Sequence, residues 1–455
     1  MNKKLIALAL ASAFAAPVAM ADGVTIYGSL GMSMDLVDGG STSTATQLSA
    51  DTPVTFGTTQ ALGDARLFRS IDQTFANSSE RRSRVSSNTS YIGLKGSEDI
   101  SSDLSAIWQW EFAVAFDMQN SGDFSATDAQ GTQSKRNTFA GLKSKTMGTL
   151  TLGLQDTPLK TSTSKLDVFK DTLGDYRTIF GAVGGSVRAQ NSVLYTSPSM
   201  AGFTIKALHG FGDEAGSNVA TNNGGEDPRI WSLSATYENG PIFAAIAHED
   251  NTGTGALQDT VGGGLTSGNP VTQLVGLFGS GVNFMHFLGS DVILNNATPS
   301  SITYDSKLKT TRIGGGYNFG VFKLGLGWER SKSDVTVNDL NSTADYTEDA
   351  KRDAWYLSGA FTLGKTVLKA AYARANDFSG TAYTGVNDTG SNQWTLGADY
   401  NLSKRTGLYA LYTQVRNDTN GTYNLAGGAT GIASVSVADV GQDPKAISIG
   451  MLHSF

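Results

Sequence analysis

The chain has 455 residues, no cysteine and a formal charge of −7. The lack of cysteine excludes a disulfide framework and a thiolate metal site. The acidic balance argues against nucleic acid as a partner, because phosphate binding needs clustered Lys and Arg. Glycine is frequent (54) and proline rare (9), and no Pro/Ser-rich linker divides the chain. We therefore expect one continuous architecture.

The first residues have the pattern of a secretory signal. Lys3 and Lys4 precede an apolar run over residues 5–16, and Ala-Met-Ala at 19–21 provides a small-residue cleavage site. We predict a signal peptide over 1–21 and a single domain over 22–455. Cleavage removes only those two lysines, so the formal charge falls from −7 to about −9. Beyond this segment no run of about 18 apolar residues occurs, which excludes ordinary membrane helices.

Period-two alternation of apolar with small or polar residues recurs along the rest of the chain. It is clear in 321–331, where Phe322, Leu324 and Leu326 oppose Lys323 and Gly325. The same pattern predicts sixteen strands, at 24–35, 86–97, 103–116, 135–144, 149–156, 188–197, 202–212, 228–238, 241–250, 302–318, 321–332, 351–363, 365–376, 392–402, 406–417 and 443–455. The last of these ends the chain on Phe455 with one apolar face.

A soluble sandwich would alternate too, but the connections favour a membrane barrel. Short ones (146–148, 239–241, 364–365, 403–406) alternate with long polar ones (37–84, 157–187, 251–300, 334–350, 377–390, 418–441). Short turns on one side and long loops on the other are typical of outer-membrane barrels, as are aromatic residues at strand ends. We predict an all-β fold, a 16-stranded antiparallel transmembrane β-barrel. Sixteen strands enclose an aqueous channel that side chains cannot fill.

The segment from Asp156 to Val187 combines charge with many apolar residues. Its charged residues are Asp156, Lys160, Lys165, Asp167, Lys170, Asp171, Asp175 and Arg177, and its apolar residues are Leu166, Val168, Phe169, Leu173, Tyr176, Ile179 and Phe180. If this third loop folds into the lumen, its apolar side packs on the wall and its carboxylates face the water path. Opposed charges across the pore would then create a transverse field. The alternative is an external loop with a small local core.

Several stretches resemble the general diffusion porins of Gram-negative outer membranes, the trimeric sixteen-stranded type. They follow the expected order along the chain: Val24-Thr25-Ile26-Tyr27-Gly28, Gly93-Leu94-Lys95-Gly96-Ser97-Glu98-Asp99, Gly148-Thr149-Leu150-Thr151-Leu152-Gly153, Arg188 to Pro198, Leu402 to Thr406, and His453-Ser454-Phe455. The resemblance implies an inward-folded third loop whose acidic residues face basic residues on the barrel wall.

Carried over by position, the resemblance implies loop residues Asp167, Asp171 and Asp175 at the pore constriction. On the wall it implies Arg188, with Lys95 and Arg136 as possible additions. Tyr91 stands where such porins usually have arginine, and Leu154 occupies a second such position. A basic ladder thinned in this way would favour cations or leave the pore nearly unselective.

The function that follows is passive diffusion of ions and small hydrophilic solutes across a bacterial outer membrane. We expect a homotrimer in contact with outer-membrane lipid and lipopolysaccharide, with no cofactor, metal or catalytic residue. Three alternatives stay open. A substrate-specific porin with a saturable track would use the long fifth loop (251–300), which contains many apolar residues among its polar ones. A surface adhesin or structural barrel would have a plugged lumen. A barrel enzyme would need a catalytic constellation, which the sequence does not show.

Overall fold

The computed structural model describes residues 22–39, 81–114, 116, 135–183, 187–212, 229–257, 302–338, 346–425 and 441–455. The predicted signal peptide (1–21) and most of the predicted loops 37–84 and 251–300 lie outside the described residues. The strands are β1 (Asp22–Asp38), β2 (Arg82–Ser87), β3 (Tyr91–Asp99), β4 (Leu104–Ala113), β5 (Lys135–Ser144), β6 (Gly148–Asp156), β7 (Arg188–Thr196), β8 (Phe203–Gly210), β9 (Arg229–Asn239), β10 (Ile242–Leu257), β11 (Ile302–Asn318), β12 (Phe322–Asn338), β13 (Tyr346–Leu363), β14 (Thr366–Ala375), β15 (Ser391–Asn401), β16 (Thr406–Asn417) and β17 (Lys445–Ser454).

The strands close into an antiparallel barrel. From β3 onward each strand pairs with the next, and β1 pairs with β17 on one side and with β2 and β3 on the other. Because β2 and β3 follow one another along β1, they are two halves of one barrel strand. The barrel is therefore sixteen-stranded, as predicted. Among the described residues no helix is long and apolar enough to cross a membrane.

The predicted strand 86–97 spans the break between β2 and β3. At this break Thr89 has a φ of 53°, which the ladder cannot accommodate. Side chains replace the lost backbone pairing: Ser90 Oγ accepts from Gly31 N at 2.9 Å, and Asn88 Nδ2 donates to Tyr409 Oη at 2.8 Å. The barrel stays closed at this break, because both β2 and β3 remain paired with β1.

The connections confirm the predicted two-sided topology. Those that follow β3, β5, β7, β9, β11, β13 and β15 contain at most six residues, whereas those at the opposite end include 157–187 and 258–301. The consecutive strands β10 to β13, like β1, have 16 to 18 residues, although about 9–11 suffice to cross the membrane. Of β10 to β13, three exceed the predicted ranges 241–250, 321–332 and 351–363, because the outward-facing positions of the added residues are polar or small, as at Asp334 and Asp349, and break the apolar alternation.

The two faces of the barrel have opposite chemistry. On β9, Trp231 and Leu233 are 56% and 55% exposed, whereas the alternating Ser232 and Ser234 are buried. The cross-strand row Ile313–Trp328–Trp355 continues the apolar exterior onto β11, β12 and β13. A surface that exposes large apolar side chains and buries hydroxyl groups is the inverse of a soluble fold. It suits lipid outside and water inside.

The apolar core lies inside the barrel and is built largely by the third loop (residues 157–187). The loop contains α1 (Pro158–Ser162) and single 3-10 turns at Ser164–Leu166 and Tyr176–Thr178. Thr157 caps α1, and its Oγ1 accepts from Lys160 N at 3.3 Å. Buried loop residues pack on Ala354, Tyr356, Ala373 and Leu411 of the inner wall; they are Leu166, Phe169, Leu173, Tyr176, Ile179, Phe180 and Ala182. The loop is therefore folded inward.

Candidate pore constriction

Backbone groups of the third loop are paired with the wall, as a buried loop requires. Ser232 Oγ accepts from Leu159 N at 3.0 Å, and Ser358 Oγ donates to Leu166 O at 2.7 Å. Further along, Ser331 Oγ donates to Val183 O at 3.0 Å. These serines come from β9, β13 and β12, so the loop is tied across several neighbouring strands and forms a fixed part of the lumen.

A buried charge network anchors the loop from behind. Glu329 accepts from Arg312 Nε at 2.9 Å, from Arg312 Nη2 at 2.5 Å and from Arg352 Nη2 at 3.1 Å. Its second oxygen also accepts from Gly181 N of the loop at 3.0 Å, while Arg312 Nη1 donates to Leu159 O at 3.2 Å. The three charged side chains are at most 1% exposed. One carboxylate thus joins two wall arginines to the second half of the loop.

A second segment reaches the same network. Arg352 Nη1 donates to Tyr423 Oη at 2.7 Å, and both Tyr423 and Leu425 belong to the buried apolar cluster of the third loop. These residues follow β16 in the connection 418–444. The described part of that connection therefore also lies against the inner wall.

Asp167, one of the three predicted loop carboxylates, is held within the loop. Its Oδ1 accepts from Phe169 N at 2.9 Å and from Tyr356 Oη at 3.3 Å, and its Oδ2 accepts from Tyr176 N at 3.3 Å. Burial, with a smaller contribution from nearby Asp175, raises the pKa of the Asp167 carboxyl well above its usual range. This side chain fastens the loop to β13.

The other two aspartates converge on one arginine. Asp175 is fully buried and accepts from Arg177 Nε at 2.8 Å and Nη2 at 2.5 Å, while Asp171 Oδ1 lies 3.1 Å from Arg177 Nη2. Burial opposes ionisation of Asp175, but the adjacent guanidinium of Arg177 prevails and lowers the pKa of this carboxyl. The Asp171 side chain stays 28% exposed. Asp171 is therefore the predicted loop carboxylate with the greatest access to water.

Tyr91, Lys95 and Arg136, all predicted for the wall, form one cluster on β3 and β5. The Arg136 guanidinium lies 4.5 Å from the Tyr91 ring centre, and its Nε is 3.6 Å from Glu111 Oε2. Lys95 Nζ lies 4.7 Å from the ring centre of Tyr27, whose hydroxyl donates to Glu111 at 2.8 Å. Glu111 is buried and was not predicted as a site residue, although the alternation of residues 104–116 places it on the polar face.

A β-bulge directs Arg136 into this cluster. Alternation counted back from the outward-facing Leu142 would put Arg136 on the lipid side. The register between β4 and β5 shifts between Trp110 and Phe112, however, and leaves an extra residue on β5. Such a bulge re-aims a side chain, so Arg136 turns toward Glu111.

The fourth predicted wall residue, Arg188, lies at the root of the loop. Its Nε is 3.0 Å from Asp156 Oδ1, which is also 2.7 Å from Lys160 Nζ. Asn137 Nδ2 donates to Asp156 Oδ2 at 3.0 Å. Burial, only partly offset by Asp156, lowers the pKa of Lys160 to about 8. The two ends of the loop are thus joined through one shared carboxylate.

The charged edge of the loop faces this part of the wall. The Asp171 carboxylate lies within electrostatic range of the neutral Tyr91 hydroxyl, and the Arg177 guanidinium lies within electrostatic range of Arg188 and Lys160. The opposite, apolar edge packs on β11 to β16. Charges of both signs therefore lie together where the loop approaches the β3–β7 side of the wall.

A closed barrel with an apolar exterior, a polar interior and a loop that narrows its lumen defines an outer-membrane diffusion channel. The family model for Gram-negative porins matches residues 7–420, so the chain belongs to that family. It is a channel of the outer membrane that passes small hydrophilic solutes by passive diffusion.

Curated relatives have the same character. The chain is 24% identical to "Major outer membrane protein P.IB" of Neisseria gonorrhoeae, over 89% of this chain and 91% of that protein. It is also 24% identical to "Outer membrane porin protein 32" of Delftia acidovorans over the full length of both.

Among solved structures, the anion-selective porin from Comamonas acidovorans superposes with a TM-score of 0.62 at 20% identity, over 95% of this chain and 99% of that one. OmpT of Vibrio cholerae gives a TM-score of 0.56 at 15% identity, over 95% and 97%. At these identities both similarities support the fold.

Proposed function

We propose that the third loop and the β3–β7 wall form the rate-limiting constriction of this diffusion channel. The observation that carries the proposal is the orientation of the loop: its apolar edge is buried on β11 to β16, and its charged edge faces Tyr91 and Arg188. In this arrangement Asp171 faces the path. Asp167 and Asp175 act by holding the loop in shape, and Lys95 completes the wall.

We further propose that the constriction is only weakly selective. Each of its arginines is within ion-pair distance of a carboxylate: Arg136 of Glu111, Arg188 of Asp156, and Arg177 of Asp171 and Asp175. Paired charges produce a smaller net field across the passage than separated rows of opposite sign. Both small cations and small anions therefore pass, and the remaining preference depends on single charges such as Lys95.

The test is planar-bilayer recording of the purified protein in a salt gradient. Wild-type protein is expected to show stepwise ohmic conductance with a reversal potential close to zero. Asp171→Asn should shift that potential toward anion preference, since it removes a carboxylate that faces water. The outward-facing Asp353→Asn is the matched control and should leave it unchanged. An unaltered reversal potential in Asp171→Asn would remove this residue from the constriction.

The same recordings separate the alternatives. Conductance that saturates with solute concentration, or that one solute blocks, would favour a substrate-specific porin. An absence of conductance would favour a plugged adhesin or structural barrel. A linear dependence supports general diffusion.

We also propose a homotrimer whose outer apolar band contacts outer-membrane lipid, including lipopolysaccharide. Family membership supports the assembly, and one OmpT structure of Vibrio cholerae is described as a trimer form. Chemical cross-linking in detergent tests it: a ladder that ends at three subunits is expected, and a ladder that stops at one would contradict it.

A further inference from the structure

Four glycines form a patch on the inner wall directly beneath the third loop. Gly314 and Gly316 lie on β11, Gly325 and Gly327 lie on β12, and the register pairs Gly314 with Gly327 and Gly316 with Gly325. None of the four has a positive φ, so their backbone conformation does not require glycine. Glycine inside a strand is unfavourable unless something approaches closely. Glycine at these four positions therefore indicates that another part of the molecule packs closely against the strands here.

The third loop occupies that space. A Cβ added to Gly314 would lie 2.7 Å from Leu166 Cδ1 and 2.8 Å from Thr163 Cγ2, and one added to Gly327 would lie 2.8 Å from Phe180 Cζ. At Gly316 and Gly325 the nearest loop atom is Leu166 Cδ2, at 3.2 Å in each case. Leu166 and Phe180 are both buried. Two apolar side chains of the loop are thus seated in a recess that only glycine leaves open.

We infer that this glycine patch positions the constriction, because the depth at which Leu166 and Phe180 sit in it sets how far the loop extends into the lumen. The inference rests on the proposed role of the loop. A methyl group at Gly314 or Gly327 would force its neighbour back by about 1 Å to reach an ordinary carbon contact distance. Since the wall is on one side and the water path on the other, the loop can retreat only into the passage.

Gly315 provides a matched control. It stands between Gly314 and Gly316 on the same strand but faces the exterior, and the nearest atom of the described residues to a Cβ there would be Phe243 O at 3.7 Å. Gly315→Ala therefore makes the same chemical change in the same strand without touching the loop. The experiment compares Gly314→Ala, Gly327→Ala and Gly315→Ala by single-channel conductance and by the size cut-off for uncharged sugars in liposome swelling.

Gly314→Ala and Gly327→Ala are expected to lower conductance and to exclude large sugars more strongly than small ones, while Gly315→Ala matches the wild type. Phe180→Leu shortens the side chain that meets position 327. The double variant Gly327→Ala, Phe180→Leu should therefore recover conductance, which a general loss of barrel stability would not allow.

Wild-type conductance and cut-off in folded Gly314→Ala and Gly327→Ala would overturn the inference. If Gly327→Ala does not fold, the double variant decides: recovery of a folded, conducting channel supports the recess, and failure of both shows that glycine serves the wall itself. These outcomes are distinct from failure of the proposed function, which would appear as an absence of conductance or of any Asp171 effect in otherwise wild-type protein.

Discussion

Neutralising Glu329 should both destabilise the barrel and release the third loop. Its carboxylate is shared by Arg312, Arg352 and the amide of Gly181. In Glu329→Gln two guanidinium groups stay buried without their counter-charge, and one amide oxygen cannot satisfy all the donors. Loss of one partner from a buried ion pair costs about 3–5 kcal/mol. We expect the free energy of unfolding of Glu329→Gln to fall below that of the wild type by an amount in this range.

The neighbouring residue is the control. Arg330 lies on the outer face, is 49% exposed, and its Nε is 2.7 Å from Asp353 Oδ1. Exposed ion pairs contribute little to stability, so the free energy of unfolding of Arg330→Gln should be close to that of the wild type. Urea unfolding of detergent-solubilised protein, followed by tryptophan fluorescence, measures both variants.

Conductance gives a second readout for Glu329→Gln, because Gly181 N loses the carboxylate to which it donates, and Arg312, which donates to Leu159 O, loses the group that holds it in place. Channels of this variant should show larger current fluctuations than the wild type, while those of Arg330→Gln should not. Two results together would refute the reasoning. The free energy of unfolding of Glu329→Gln would differ from that of the wild type by less than about 1 kcal/mol, well below the range expected for a broken buried pair, and its single-channel current would fluctuate no more than that of the wild type.

Three further predictions concern the charged edge of the passage. Lys95→Gln and Arg136→Gln should shift the reversal potential toward cations, whereas the outward-facing Lys309→Gln should not; equal effects of all three would contradict the assignment. Asp175→Asn should lower the free energy of unfolding by about 1.5–3 kcal/mol, the usual range for hydrogen bonds to a charged group, and an unchanged urea midpoint would count against it. Because burial lowers the pKa of Lys160 to about 8, below the 10.5 of an exposed lysine, the unfolded chain binds more protons between these values and the contribution of Lys160 to stability rises with pH. Lys160 also loses its positive charge as the pH rises from 7 to 9, so the reversal potential should shift toward cation preference over that interval. Lys160→Met should abolish this pH response.

The barrel itself could be predicted because lipid and water impose opposite demands on alternate residues. The sequence already shows this where the apolar Trp231 and Leu233 alternate with Ser232 and Ser234. The alternation of short and long connections indicates which strand ends lie on the same side of the membrane. The break at residues 88–90 could not be predicted, since it depends on Tyr409, more than 300 positions away. The extra length of β10, β12 and β13 was also missed, because the outward-facing positions of the added residues are polar or small and apolar alternation no longer reports strand structure.

The site was less predictable for a different reason. Tyr91, Lys95, Arg136 and Arg188 were expected on the wall, but the bulge that turns Arg136 is a property of register between two strands. The three loop aspartates look alike in the sequence. Their separate environments arise only from the folded loop, where Tyr356 reaches Asp167 and Arg177 reaches Asp171 and Asp175. The glycines at 314, 316, 325 and 327 are visible in the sequence, whereas Leu166 and Phe180, which explain them, are not adjacent until the loop is inside.

The most direct test of the account is cysteine accessibility inside the passage. The chain has no cysteine, so Lys95→Cys introduces a single thiol at the proposed constriction, and Leu357→Cys places one on the exposed apolar exterior as a control. Charged methanethiosulfonate reagents added during bilayer recording should reduce the Lys95→Cys current in discrete steps and shift its reversal potential according to the charge attached, with no effect on Leu357→Cys. A Lys95→Cys channel whose current and reversal potential stay constant, although its thiol reacts fully after unfolding, would show that water and ions do not pass between the third loop and this wall.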